Sequence, residues 1–438
     1  MITFKGKYTE ANVMAHTLDA ETSQQIHTFI NNKHFKNPIA LMPDLHAGKG
    51  AVIGFTMLLG DVVVPNVVGV DQSCGMYAVR LEKSVKDTLV SMDKDAFDRK
   101  VRDTVPMSNK VHKKPRIEME KFPWDEVNKK LSSFTERFNR RYSSPYKPFN
   151  WTPKLFDLYC YGVKCAPLYA QLSLGTLGGG NHFIEVGIDE EDHPWLVVHT
   201  GSRNLGLKVA NHYQKIAVTE MEKKAKEEDF EKRVEKIKTE LPKSEWDVAI
   251  KQLQALPKCP KELAGLNGVE MFRYLESAVF LNVYASVNRQ LISSAVLEAM
   301  GPTIPGKIIH TIETVHNYIS SDDFIIRKGA VSARQGEEFV LPFNMEDGIL
   351  ICRGKGNADW NCSGPHGAGR LFSRSKAKEK LDVAKARTSM ESKGIFSKVL
   401  PADELKGAYK SASVIEEAIE PTADIIHRIK PLINFKAK

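Results

Sequence analysis

The residues of this chain with the clearest chemical potential are one aspartate, one cysteine and three histidines. Asp71 and Cys74 follow an apolar run, and Gly75 makes it easy for the chain to turn at Gln72 and Ser73 so that the two side chains converge. The histidines that stand in similar strand-end or turn settings are His182, His199 and His316. A carboxylate and a thiolate on one turn form a chelating pair, and imidazoles suit first-row transition metals. The set predicts a metal site, with Zn, Mn, Fe and Co all compatible with its oxygen, sulfur and nitrogen donors.

Each of these residues taken alone has an ordinary structural explanation, because buried cysteines near turn aspartates and core histidines are common. The set is more persuasive, since every member stands at a strand end or in a glycine-rich turn. His199 is an instance, because it leaves the apolar pair Val197 and Val198 and enters a glycine turn. Asp44 and His46 are predicted to hydrogen-bond to the ligands and orient them.

Two glycine-rich segments favour phosphate binding. The turn Gly178–Asn181 leaves backbone N–H groups uncovered, but it lacks the ending of a P-loop and the strand–helix context of a dinucleotide fold. In the segment Pro365–Arg370, His366 stands where few side chains block an approach, and an imidazole nitrogen can attack phosphorus there. Arg370 could neutralise phosphoryl charge. On local sequence alone, a turn histidine that caps a helix beginning near Arg370 explains the segment equally well.

Composition places the chain among globular proteins. It has 438 residues, 42% hydrophobic and 26% charged, and its net charge of +8 permits a polyanionic partner without demonstrating one. The longest apolar segment, Ala51–Val70, is interrupted by glycine, aspartate and proline, so it predicts two buried strands and a turn, not a membrane span. No secretory signal is visible, and the six cysteines show no tight repeated spacing. We therefore expect a cytoplasmic protein with buried thiols and no membrane segment.

The elements that must position these residues alternate along the chain. Strand-rich segments are predicted at 39–81, 172–207, 306–326 and 338–352; helices at 84–151; one long buried helix at 268–299; and a basic helix at 370–387. A charged helical insertion is expected at about 209–253. No linker or repeat marks a border. We expect a single intertwined α+β domain over residues 1–438, with mixed β-sheets.

Five motifs together resemble the RtcB RNA ligases, and they appear in the order of that family. They are Asp71-x-x-Cys74-Gly75, Gly175 to Glu185, His199 to Arg203, Val315-His316-Asn317, and His366 to Arg370. The resemblance runs from Leu41 to the end of the chain. It implies an RtcB-like fold with a deep metal and nucleotide cleft.

The resemblance also implies an activity and its residues. The activity is GTP- and manganese-dependent joining of an RNA 3′-phosphate or 2′,3′-cyclic phosphate to a 5′-hydroxyl, with His366 as the histidine that becomes guanylylated. By position, Asp71, Cys74, His182, His199 and His316 resemble the ligands of two Mn²⁺ ions, with Cys74 bridging. The implied nucleotide contacts are Asn181, His182, Phe183, Ile184, Glu185, His316, Asn317, Pro342, Phe343, Asn344, Met345, Ile349, His366, Gly367, Ala368, Gly369, Tyr409 and Lys436.

The implied partners are RNA ends, and an accessory activator protein is compatible with the resemblance; we expect a monomer. Two departures predict a divergent paralogue with a restricted repair substrate. Ile349 stands where many relatives have serine, which removes one hydrogen bond to the base, and Gln72 and Ser73 differ from commoner members.

Two other functions remain open on the sequence. A metal-dependent cyclic phosphodiesterase would need the five ligands but not His366. A non-catalytic RNA-binding protein would need only basic residues, since contacts to phosphates are blind to sequence. The basic residues available for that role are the run Arg370–Arg387 and Lys110, Lys113, Lys114 and Arg116.

Overall fold

A computed structural model of the chain describes residues 2–15, 18–48, 50–227, 230–255 and 260–437. Its strands are β1 Ile2–Lys5, β2 Glu10–Val13, β3 Ile39–His46, β4 Ile53–Leu58, β5 Gly75–Leu81, β6 Phe183–Ile188, β7 Pro194–Thr200, β8 Ile308–Val315, β9 Asn317–Ile319, β10 Ile325–Lys328, β11 Ala330–Ser332, β12 Glu338–Asn344, β13 Gly348–Gly354, β14 Ser363–Pro365 and β15 Ala423–Lys436. Its helices are α1 Ala20–Ile30, α2 Pro65–Val68, α3 Lys86–Ser91, α4 Lys94–Thr104, α5 Trp124–Tyr142, α6 Pro153–Gly162, α7 Pro167–Ser173, α8 Arg203–Glu227, α9 Phe230–Glu240, α10 Trp246–Ala255, α11 Gly268–Met300, α12 Arg374–Lys380, α13 Val383–Ser392 and α14 Ala412–Ala418.

The functional residues are carried mainly by a curled seven-stranded sheet. Its strand order is β12-β13-β15-β6-β7-β5-β8, and neighbouring strands run antiparallel. The two end strands approach each other, since the backbone N–H of Val340 on β12 donates to Thr314 Oγ1 on β8 at 3.1 Å. Apolar side chains that include Trp195 and Ile351 pack together on this sheet.

A second sheet has six strands in the order β1-β2-β3-β4-β10-β9, with β2 and β3 parallel and its other neighbours antiparallel. Strands β11 and β14 form a small third sheet. The largest apolar core includes residues of this six-stranded sheet and of helices α5, α8 and α11. The predicted α+β class with mixed sheets is confirmed.

The long helix α11 was predicted at 268–299 and is observed at Gly268–Met300, buried on most faces. It also contributes a buried cation to the region of the predicted metal ligands. Arg289 donates from one guanidinium nitrogen to the carbonyl oxygens of Ser73 (2.9 Å) and Thr200 (3.0 Å) and pairs with Glu313 (2.7 Å). The helix therefore fixes the turn between Asp71 and Cys74 against strand β7.

Two local predictions were wrong. The segment Ala51–Val70 forms one strand, β4, and then the short helix α2, because Pro65 at the first turn has the fixed φ that starts a helix. The basic segment Arg370–Arg387 contains two helices instead of one. The break occurs at Asp382, whose side chain accepts from the backbone N–H groups of Ala384 and Lys385 and so caps α13.

The charged segment that was expected to begin at about residue 209 belongs to helices α8, α9 and α10, and residues 228 and 229 lie outside the described part. Helix α8 begins earlier, at Arg203, and buries Val209, Tyr213 and Ala217 in the core. The five described cysteines are free thiols; Cys259 lies outside the described residues. In the described ranges, no helix is both long and apolar enough to cross a membrane.

Candidate metal and nucleotide site

The structure brings the five predicted metal ligands together. Asp71 Oδ2 lies 3.0 Å from His182 Nε2, and Cys74 Sγ lies 3.5 Å from that nitrogen. The same sulfur lies 3.2 Å from His199 Nε2, which is 3.3 Å from His316 Nε2. Two triads of donor atoms result, and Cys74 is common to both. Cys74 Sγ therefore lies within reach of the other donor atoms of both triads.

Strand register explains why residues so far apart in sequence converge. Met76 on β5 pairs with His199 on β7, and His199 pairs with Phe183 on β6. On the other side of β5, Gly75 pairs with Val315, so His316 begins immediately beyond the paired end of β8. The histidines therefore emerge at one edge of the curled sheet, where the Asp71–Cys74 turn enters β5.

The far nitrogens of two histidines contact backbone carbonyl groups. His182 Nδ1 lies 3.0 Å from the carbonyl oxygen of Leu177, and His199 Nδ1 lies 3.2 Å from that of Asn181. A carbonyl accepts only from an N–H group, so Nδ1 of each ring carries a proton and Nε2 is the nitrogen that faces the cluster. His316 Nδ1 is buried without a partner among the described atoms.

Burial sets the protonation of this cluster. Burial first, and the neighbouring histidines next, hold the pKa of both His199 and His316 well below the usual value, so both are neutral. Burial and then Asp71 raise the pKa of the Cys74 thiol well above its usual value. For Asp71 burial opposes ionisation, but His182 outweighs it and holds the carboxyl pKa below its usual value. Neutral imidazoles, a carboxylate and a thiol that a cation would deprotonate fit a divalent transition metal.

His366 stands beside this cluster with a carboxylate partner. Its ring centroid lies 5.0 Å from that of His316, and its Nδ1 lies 2.6 Å from Asp44 Oδ2. The His366 backbone N–H donates to the same oxygen at 3.2 Å. Gly369 has φ +73°, and a β-carbon there would collide with the Asp44 carbonyl, so the turn after His366 depends on glycine.

These contacts correct two expectations. Asp44 was predicted to orient a metal ligand, but its hydrogen bonds go to His366. The alternative in which His366 caps a helix is wrong, because α12 begins at Arg374 and its cap is Ser373. His46 stays close to Asp44, with Nδ1 2.9 Å from the Asp44 carbonyl oxygen, and burial lowers the pKa of His46 to about 4.

A cavity of about 720 Å³ opens next to these histidines. Most residues of the implied nucleotide set line it: Asn181, Phe183, Glu185, His316, Asn317, Pro342, Phe343, Asn344, Met345, His366, Gly367, Ala368, Gly369, Tyr409 and Lys436. His182 belongs to the metal cluster instead. The cavity could hold a nucleotide with its phosphates at His366 and the metal ligands.

Ile184 and Ile349 do not line this cavity, which corrects their place in the implied set. Side chains alternate along a strand, so Phe183 and Glu185 face the cavity while Ile184 packs in the core on the other face of β6. Ile349 is 1% exposed and packs with apolar residues of the curled sheet. The apolar side chain of Ile349 thus lies in the core of the curled sheet and outside the cavity.

Glu404 is a site residue that the sequence analysis missed. It is 2% exposed and lines the cavity. Its carboxylate accepts from Arg374 at 2.6 Å, Tyr409 at 2.6 Å and Lys436 at 3.0 Å. Burial opposes ionisation, but Lys436 and Arg374 prevail and lower the pKa of Glu404. A single acid in a short 3₁₀ turn gives no periodic signal.

Arg370 and Glu185 complete the charge arrangement. Arg370 lines the cavity, and it donates to the Asp403 carbonyl at 2.6 Å and to Glu404 at 3.4 Å, so it braces the segment before Tyr409. Glu185 is buried with Oε1 unpaired among the described atoms. Burial raises the pKa of Glu185 well above its usual value, while Lys436 acts in the opposite direction. An unpaired buried carboxyl oxygen beside a cavity is an acceptor for a ligand.

Known proteins resemble this chain over a range that contains all of the site residues described above. A family model described as tRNA-splicing ligase RtcB matches residues 25–437. The chain is 27% identical to the RNA-splicing ligase RtcB of Escherichia coli strain K12, covering 96% of this chain and 95% of that one. It is 25% identical to the tRNA-splicing ligase RtcB of Nanoarchaeum equitans, with 91% and 88% covered. It is 22% identical to the RNA-splicing ligase RtcB2 of a second Escherichia coli strain, with 94% and 91% covered.

Proposed function

Because this chain belongs to the tRNA-splicing ligase RtcB family, which matches residues 25–437, we propose that it is an RNA ligase that uses GTP and two Mn²⁺ ions. It joins an RNA 3′-phosphate or 2′,3′-cyclic phosphate end to a 5′-hydroxyl end through a guanylylated His366. The observation that carries this proposal is the Asp44–His366 pair, set against the His316 ring at the wall of the nucleotide-sized cavity.

The five-residue cluster would hold the two ions. One would take Asp71, Cys74 and His182, and the other Cys74, His199 and His316, which are the two triads of donor atoms. Bound there, such ions stabilise negative charge that develops on phosphate oxygens. His199 and His316 are neutral and supply lone pairs without a proton to remove, whereas the Cys74 thiol must lose its proton on metal uptake.

His366 is the nucleophile of the first step. Asp44 accepts a hydrogen bond from the Nδ1–H group of His366, so Nε2 presents its lone pair to the α-phosphorus of GTP. A P–N bond forms and the bond to the β-phosphate oxygen breaks, which releases pyrophosphate. Asp44 then stabilises the cationic imidazole of the guanylylated enzyme, as the carboxylate behind a catalytic histidine does elsewhere.

The cavity suits guanine as the base. Guanine presents N–H donors at N1 and N2 and acceptors at O6 and N7. Glu185 offers a free acceptor oxygen and Lys436 an ammonium donor, and the two belong to adjacent strands, β6 and β15. Phe183 lines the same cavity and lies against the Lys436 ammonium at 5.3 Å from its ring centroid. We propose that these residues and Tyr409 hold the base, with the backbone of Gly367–Gly369 near the phosphates.

The RNA steps follow from the guanylylated histidine. GMP passes to the RNA 3′-phosphate, which forms a P–O–P bond as the P–N bond breaks. The 5′-hydroxyl then attacks the RNA phosphorus, and GMP leaves as the phosphodiester forms. A cyclic phosphate must first be opened by water to give the 3′-phosphate. We propose that the chain does this as a single domain and as a cytoplasmic monomer, with an accessory activator protein as a compatible partner.

The test uses GTP labelled either on the α- or on the γ-phosphate, followed by RNAs with defined ends. The protein should retain α-label and lose γ-label, and addition of a 3′-phosphate RNA should remove the protein-bound label. A 5′-hydroxyl RNA should then be joined, whereas a 5′-phosphate RNA should not. Opening of a cyclic phosphate without label transfer or joining would identify the chain as a cyclic phosphodiesterase, and RNA binding without either reaction would make it a non-catalytic binding protein.

A further inference from the structure

We propose that the segment Met107–Arg116, here called the basic loop, binds the phosphate backbone of the RNA substrate. RNA thereby reaches the metal cluster from the side of Asp71, while the nucleotide occupies the cavity at His366. This inference rests on the proposed ligase function and adds the place where its RNA lies.

The basic loop is fixed against the glycine-rich turn that precedes strand β6. The Ser108 N–H donates to the carbonyl oxygen of Gly178 at 2.8 Å. His112 contributes two contacts, one from its backbone N–H to the Leu172 carbonyl and one from Nε2 to the Gly175 carbonyl, each at 3.0 Å. These hydrogen bonds give the loop one defined position beside the turn.

The glycine-rich turn also contacts the metal cluster, through Arg203. Gly178 has φ +81°, and a β-carbon there would overlap the guanidinium group of Arg203. Arg203 NH1 lies 3.3 Å from Nδ1 of His182, whose other nitrogen faces Asp71 and Cys74. The turn and Arg203 therefore connect the basic loop with the predicted metal ligands.

The loop carries cations without acidic partners. Lys110, Lys113, Lys114 and Arg116 are exposed, and the sequence has no acidic residue between Thr104 and Ile117. In the ranges that the structure describes, none of these four side chains forms an ion pair. By contrast, two cations that line the cavity, Arg374 and Lys436, both pair with Glu404. Closely spaced cations without acidic partners can bind the phosphates of an RNA backbone.

The metal cluster is also accessible outside the nucleotide cavity. The Asp71 side chain is 36% exposed, yet neither Asp71 nor Arg203 lines the nucleotide cavity, and the four cations do not line it either. An RNA end could thus approach Asp71 while GTP fills the cavity. A ligase needs such an arrangement, because the RNA phosphate must meet the guanylylated His366 without displacing the bound guanine.

The test replaces the four cations together, as Lys110→Gln, Lys113→Gln, Lys114→Gln and Arg116→Gln. The matched control removes the same number of charges from exposed lysines on and between α9 and α10: Lys232→Gln, Lys236→Gln, Lys243→Gln and Lys251→Gln. Affinity for a single-stranded RNA with a 3′-phosphate is measured at several salt concentrations. Guanylylation by GTP in the absence of RNA is measured beside it.

Each phosphate contact with a single strand contributes about 0.7 to the slope of log affinity against log salt. Loss of four contacts should lower the slope by about 2.8, so a fourfold rise in salt should weaken wild-type binding about 50-fold more than variant binding. The ligation KM for RNA should rise by at least about tenfold. Guanylylation should stay within about twofold of wild type, and a variant with Lys110→Arg, Lys113→Arg and Lys114→Arg should bind RNA as the wild type does.

Equal salt slopes for the loop variant and the control would overturn the inference, and so would a guanylylation defect as large as the RNA defect. Unchanged RNA affinity together with lost binding of an acidic protein would assign the loop to a protein partner and overturn it as well. A wild-type protein that takes no label from GTP would instead sink the proposed function, and RNA binding by the loop could still be measured independently.

Discussion

Replacement of Asp44 by asparagine tests how His366 is activated. In the structure Asp44 Oδ2 lies 2.6 Å from His366 Nδ1, and the Asp44 side chain is fully buried. Asparagine keeps the shape, but its amide group can donate to Nδ1, which places the ring proton on Nε2, the nitrogen that must attack. Asp44→Asn therefore removes both a charge and the productive tautomer.

The magnitude follows from those two losses. A hydrogen bond to a charged group is worth about 1.5–3 kcal/mol, which corresponds to about 10- to 150-fold in rate if it acts in the transition state. Inversion of the tautomer can extend the loss to about 10⁴, the effect known for the equivalent change in serine proteases. We expect the single-turnover rate of guanylylation to fall at least tenfold, with metal content unchanged.

The assay mixes enzyme and excess α-labelled GTP and follows protein-bound label with time. Asp323→Asn, a change away from the cavity, is the matched control and should leave this rate unchanged. Thermal unfolding of both variants checks that the fold persists. A folded Asp44→Asn protein with full metal content and a rate within twofold of wild type would refute the assignment of Asp44 as the group that orients His366.

Three further predictions concern the metals, the base and acid stability. Cys74→Ala should lose both ions together because its sulfur belongs to both triads, whereas Cys352→Ala should keep them; elemental analysis that finds two retained ions in Cys74→Ala would exclude a bridging thiolate. Glu404→Gln should raise the KM for GTP about 10- to 100-fold with a smaller effect on kcat, because the charge-assisted hydrogen bonds that Glu404 accepts position its cavity neighbours; an unchanged KM in steady-state assays would contradict this. Burial raises the pKa of Asp323, but Arg327 and Arg334 outweigh burial and lower this pKa from 3.8 to about 2. The ionised carboxylate therefore stabilises the fold at a pH above the pKa of the unfolded chain, and this stabilisation is lost as the pH falls through the pKa of the folded protein. Asp323→Asn should thus lower the free energy of unfolding by about 1–2 kcal/mol at pH 7, after allowance for partial exposure, and wild type and variant should become equally stable near pH 2. Denaturant titrations in which this loss of stability does not change with pH would argue against the ionisation of Asp323.

Much of the site could be predicted because its residues follow short apolar runs. A strand that ends near a histidine places that histidine at a sheet edge. His199 near the end of β7 and His316 just after β8 both follow this rule, on the two strands that flank β5. The Asp71–Cys74 turn carried its own signal in the glycine that follows it. The expected RtcB family membership and α+β class are confirmed.

Other features depend on which face of a strand a residue occupies, and motif order does not encode that. Ile349 and Ile184 stand in the right segments, yet the pleat turns both side chains into apolar cores. Glu404 acquires its role only because β15 brings Lys436 beside it from the end of the chain. Asp44 meets His366 across more than three hundred residues, a contact that neither local sequence predicts.

The most direct measurement is the position of the covalent nucleotide. Metal-loaded protein is incubated with GTP, digested under alkaline conditions that preserve a phosphoramidate, and its peptides are sequenced by mass spectrometry. One GMP should be found on the peptide that contains His366, it should be lost in mild acid, and it should be absent from His366→Ala. GMP attached to a lysine or to another histidine, or no adduct at all in protein that holds both ions, would contradict the account.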